Sequence, residues 1–109
     1  MALDNQSLRG FVEATEKTDP ANVLRIKERV SAHLDMTAAV FELDRLNKSP
    51  IVIFEKVDDF DMPVVTNVAG NRALLARCLD TTVADLPTTF RLRCQTYIPP
   101  EIVSKPAWN

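Results

Sequence analysis

The chain has 109 residues, 46% hydrophobic and 26% charged, with a formal net charge of −2 and a pI near 5.3. That length fits one domain. Acidic and basic residues are interspersed, and without clustered Lys and Arg no nucleic-acid partner is expected. No run of about 18 apolar residues occurs, so neither a transmembrane helix nor a membrane partner is expected. The N-terminus lacks the basic and apolar regions of a signal peptide, which points to a cytoplasmic protein with Cys78 and Cys94 as reduced thiols.

Ser7 is a suitable N-cap for a first helix, with Leu8, Phe11, Val12 and Thr15 at helical spacing up to about Lys17. Asp19-Pro20 stops it, because the residue before proline avoids the α region. Val23, Leu24, Ile26 and Val30 mark a strand over about 22–30. Its alternation is imperfect: Val23, Arg25, Lys27 and Arg29 fall on one face, and Leu24, Ile26, Glu28 and Val30 on the other. Asp35 is expected to cap a second helix, whose apolar side is Met36, Ala39, Val40, Leu43 and Leu46. Asn47 to Pro50 ends it.

Ile51 to Phe54 is a β-branched and aromatic run bounded by Pro50 and by the acidic turn Asp58-Asp59. Met62 to Val68 reads as a second strand of this region, broken by Gly70. Asn71 is a good N-cap for a third helix with Leu74, Leu75, Cys78 and Leu79 on one side, which makes Cys78 a core residue. Thr82 and Asp85 suggest a capping box for a short turn ending at Pro87. From Thr88 the chain is expected to be extended, with a fourth short strand near Phe90 to Cys94. Its Ile98, Ile102, Val103 and Trp108 are too apolar for a free linker; this domain's own surface or a partner chain would cover them. The expected fold is a small α/β (α+β) domain over 1–87, with a mixed sheet of three to four strands on helices. Residues 88–109 form a tail that docks on a partner.

Few residues offer chemistry. His33 is the sole histidine, and it reads as a surface or capping residue between a strand and a helix. One histidine and two separated cysteines do not make a zinc set. Asp58, Asp59 and Asp61 supply oxygen ligands of the kind magnesium or calcium takes, but a solvated turn accounts for them. Glu13 and Glu16, and Glu42 and Asp44, lie on polar helix faces as solvated charge. Gly70-Asn71-Arg72 opens a helix after a strand, where free N–H groups could meet an anion; a tight turn or a domain contact competes with that reading.

The order of Phe54-Glu55, a short acidic turn, Met62-Pro63-Val64-Val65-Thr66-Asn67, Gly70 and a short helix resembles the N-terminal region of the UbiD family of prenylated-flavin-dependent decarboxylases and carboxylases. Leu8 to Val12 looks like the family's opening helix, Asp35 to Leu46 like its second, and Tyr97-Ile98-Pro99-Pro100 like the element leading out of the domain. The likeness runs from Leu8 to Val103, and Met62 to Gly70 is its most specific part. Family members are several times longer. Their flavin, metal and acid–base residues lie beyond the position of Asn109, so no catalytic, cofactor-binding or metal residue carries over. The resemblance implies a small, non-catalytic subunit in a hetero-oligomer with a larger UbiD-like catalytic subunit. That subunit would hold prenylated FMN, a divalent metal (Mn or Mg) and K, and act on aromatic, heteroaromatic or α,β-unsaturated carboxylic acids. Met62, Pro63, Asn67, Gly70, Asn71, Arg72, Tyr97, Ile98, Ile102 and Trp108 are the expected partner-facing residues. A stand-alone interaction module, or a fragment of a longer enzyme, is the alternative.

Overall fold

In the computed structural model, residues 7–105 and 107 are described, and they form four α-helices and a three-stranded mixed sheet. Ser7 caps α1 (Leu8–Thr18), its hydroxyl accepting from the Gly10 N–H at 3.0 Å. Phe11, Val12 and Thr15 form the buried side of α1. Thr15 satisfies its buried hydroxyl by donating to the Phe11 carbonyl at 2.8 Å. A 3₁₀ turn over Pro20–Asn22 then leads into β1 (Val23–Val30).

β1 runs parallel to β2 (Ile51–Val57), so the connection between them must cross over, and α2 (Asp35–Arg45) makes that crossing. β3 (Val64–Thr66) returns antiparallel on the other side of β2, giving the order β1-β2-β3. The central strand is covered on both faces. Ile51 and Ile53 pack with Phe11 and Val12 of α1 and Leu74 of α3 (Arg72–Cys78). Val52, Phe54 and Val57 meet Met36, Ala39, Val40 and Leu43 of α2. Burial on two sides is why 51–54 reads as a continuous apolar run rather than an alternating one. In β1, Val23 turns to the α1 side and Ile26 and Val30 to the α2 side. The register slips between Ile26 and Arg29, where β1 spends one more residue than β2.

Several expectations are corrected. Leu34, not Asp35, holds the N-cap of α2, at φ 68 and without a side-chain bond; Asp35 is the first helical residue and accepts from the Ser31 N–H at 2.8 Å. Leu46 lies past the last turn and is exposed. Asn47 (φ 57) behind α2 and Asp80 (φ 53) behind α3 take the left-handed conformation. Each lets the next N–H bond back to the last helical turn, Lys48 to the Leu43 carbonyl and Thr81 to the Ala76 carbonyl, both at 2.9 Å. The strand expected over 62–68 is reduced to Val64–Thr66. Asn67, at φ 61, turns the chain before Gly70 is reached.

The largest departure follows Leu79. The segment expected to be extended from Thr88, with a strand near Phe90 to Cys94, is helical: α4 runs Leu86–Gln95. Pro87 begins this helix instead of ending a turn, since in the first turn its missing N–H has no carbonyl to reach. Thr82 and Asp85 do interact, the Thr82 hydroxyl accepting from the Asp85 N–H at 3.1 Å and donating to its carboxylate at 2.9 Å. The turn they build leads into α4. No residue of α4 is fully buried. The radius of gyration is 17.1 Å, well above the roughly 13 Å of a compact chain this long.

Candidate functional site

The expected partner-facing residues fall into three places. Asn67, Gly70 and Asn71 sit where β3 ends and α3 begins, and the two asparagine side chains are spent on the fold. The Asn67 amide donates to the Pro50 carbonyl at 2.9 Å. A Cβ on Gly70 would overlap the Asn67 side chain, so glycine is required here by close approach; its φ is not positive. Asn71 accepts from the Leu74 N–H at 2.9 Å and donates to Asn22 Oδ1 and to the Ser49 carbonyl. The start of α3 is therefore capped from within, with Asn71 taking the Leu74 N–H, and Asn67 covers the glycine.

Met62 and Pro63 lie at the other end of β3, exposed in the β2–β3 connection. The acidic turn beside them is built for geometry: Asp59 adopts φ 65, Phe60 bridges back to Val57, and Asp58 faces Arg29 at 3.6 Å. Tyr97, Ile98 and Ile102 are exposed beyond α4. Trp108 lies outside the described residues. His33 is exposed, and among the described residues no group of three or more His, Cys, Asp or Glu is placed to hold a metal ion.

Arg72 belongs to a surface that sequence reasoning missed. Leu75 of α3 and Leu79 just past its end line an open groove of about 430 Å³ together with Val83, Leu86, Pro87 and Phe90, and Arg72 and Cys78 complete the lining. The expected apolar side of α3 splits: Leu74 enters the core, joined by Ala76, which was not expected there, while Leu75, Cys78 and Leu79 line the groove. Cys78 is thus an exposed thiol, not a core residue. Partial desolvation there pushes it above the ordinary thiol range, against a weaker backbone hydrogen bond. Proline in a first helical turn is the one local signal of α4; the spacing of Leu86 and Phe90 adds only a weak one, because the helix buries none of its residues.

A second concave surface of about 490 Å³ lies between α1 and the sheet, lined by Leu8, Arg9, Val12, Arg25 and Pro63 among others. Arg25 is committed there. It donates to both Glu16 oxygens at 2.7 and 2.9 Å and approaches Glu55 at 3.6 Å. The hydrogen bond from Arg25 holds the Glu16 carboxyl below its usual range, opposed by slight desolvation, and the same bond raises Arg25.

A family model described as the N-terminal domain of 3-octaprenyl-4-hydroxybenzoate carboxy-lyase matches residues 16–91. The chain belongs to the UbiD family. A phenolic acid decarboxylase of Sedimentibacter hydroxybenzoicus is 34% identical over 113 aligned positions, which take in 98% of this chain but 23% of the relative. The chain thus spans less than a quarter of the relative's length. The UbiD N-terminal match begins in the last turn of α1, takes in all three strands and ends inside α4.

Proposed function

We propose that this chain acts as the N-terminal-domain part of a UbiD-type decarboxylase, a small non-catalytic subunit that completes a larger polypeptide and shapes access to its active site. The larger polypeptide would carry prenylated FMN, a divalent metal and K, and decarboxylate or carboxylate an aromatic, heteroaromatic or α,β-unsaturated acid. The decarboxylase relative, matched over 98% of this chain but 23% of its own length, carries the reading. The apolar side chains exposed from Phe90 to Val103 support it, because surface of that kind is expected where another chain sits. The contact would use Met62, Pro63 and Arg72, with Tyr97, Ile98, Ile102 and Trp108, while Asn67, Gly70 and Asn71 hold the turn between them. The two cysteines are free, in keeping with a cytoplasmic complex.

The test is gentle purification of the tagged chain from its own host, followed by native mass spectrometry and an absorbance spectrum. A co-purifying larger chain with flavin absorbance is expected. A colourless 12.2 kDa species, monomeric at high concentration, would overturn the subunit reading in favour of a stand-alone module.

A further inference from the structure

The α3–α4 groove is apolar and lies in the basic part of the chain. Its floor is apolar: Leu75, Leu79, Val83, Leu86, Pro87 and Phe90. Residues 72–109 hold five Lys and Arg against three Asp and Glu, a balance of +2, whereas residues 1–71 hold eight against twelve, a balance of −4. The arginines also differ in what they do. Arg25, Arg29 and Arg45 each reach a carboxylate of this chain. Arg72, Arg77, Arg91 and Arg93 reach none among the described residues, and neither does Arg9 on α1, so the unpaired arginines are concentrated in α3 and α4 but not confined to them. Arg72 stands on the groove wall. Arg91 is four residues beyond Pro87 and Arg93 three beyond Phe90, so helical spacing continues the groove-facing rows of α4 into two cations.

We infer that this groove docks an amphipathic helix of the catalytic polypeptide, its apolar stripe in the groove and its flanking Asp and Glu on Arg72, Arg91 and Arg93. The inference rests on the subunit reading above and deepens it by giving the partner segment a chemistry. An apolar floor alone would accept many segments. The unpaired arginines select among them: acidic flanks are drawn in, and basic ones are repelled. Cys78 on the groove wall becomes covered when the helix seats.

The probe is the larger polypeptide that co-purifies with the chain from its own host, separated and then titrated with the full chain. Binding is expected to weaken as salt rises. Arg72→Glu with Arg93→Glu should weaken it at least tenfold with unchanged circular dichroism, as should Phe90→Ser, and alkylation of Cys78 should slow in the complex. Reversing two exposed charges leaves the core intact, so that variant remains informative if Phe90→Ser unfolds. If the parent chain binds but the variants bind equally well, or Cys78 stays open to alkylation, the groove assignment is overturned and the subunit reading stands. If no larger polypeptide co-purifies, or the parent chain does not bind it at all, the subunit reading falls first. Self-association of the chain alone that the charge reversals abolish would assign the groove to a second copy and overturn the inference.

Discussion

Gly70 shows how one absent methyl can hold a motif together. Asn67 turns the chain at φ 61 and anchors itself to the Pro50 carbonyl at the start of β2, and its side chain then occupies the space beside Gly70. Gly70→Ala is expected to cost about 1–3 kcal/mol, the range of an overpacked site. Asn67→Gly keeps the positive φ and removes the obstructing amide, so Gly70→Ala should cost clearly less in that background. Denaturant melts of the four proteins form a cycle, and additivity of the two changes would sink the explanation. A second residue-scale prediction concerns Cys78. A raised thiol has less thiolate at a given pH, so in a Cys94→Ser background Cys78 should alkylate more slowly than a free cysteine peptide near neutral pH. Its rate should also rise through a midpoint above the usual thiol value. A midpoint at or below the peptide's would show that the groove does not desolvate it.

At the scale of elements, what the sequence made legible was what local chemistry decides. Ser7 and Asn71 are caps whose side chains accept from the residue three on, and both helix starts follow from them. The apolar spacing of α2 is a periodic signal that matches the packing from Met36 to Leu43, and the unbroken apolar run of β2 matches a strand covered on both faces. What was not legible depends on neighbours or on a residue with two uses. Asn67 reads as strand until Pro50 is seen to receive its amide. Pro87 reads as a stop when placed at the end of a turn and as a start when placed in the first turn of α4. The weak amphipathicity of α4 offered no periodic pattern strong enough to decide, since its apolar residues are few and lie toward the open groove. The bidentate tie between α1 and β1 carries its own prediction. Glu16 is depressed in the folded state by Arg25, so its contribution is whole above the ordinary carboxylate value of about 4.3 and is lost as pH falls through the lower folded value. Glu16→Gln should therefore melt slightly below the parent at neutral pH, a small gap because both side chains are more than a third exposed. The two melting curves should converge in strong acid. A gap that persists there would mean that Glu16 acts through packing instead of charge.

At the scale of the whole molecule, stability and association are written into different parts of the chain. The core is gathered around β2, within about the first 80 residues, whereas Tyr97, Ile98 and Ile102 are 79%, 93% and 96% exposed. Side chains that bury so little in the folded chain contribute little to its stability, yet each offers apolar area worth about 25 cal/mol per Å² when another surface covers it. Substituting all three with Ser separates the two roles. Unfolding free energy should stay within about 0.5 kcal/mol of the parent, as for exposed positions elsewhere, and the denaturant slope should not change. Affinity for the larger decarboxylase polypeptide should fall by more than tenfold if the tail lies against it. If instead the triple variant melts earlier with a changed slope, the tail folds back on its own domain in solution. The extended radius of 17.1 Å would then give way to a more compact parent in small-angle scattering. The two measurements therefore decide together whether this apolar arm belongs to the domain or to its partner.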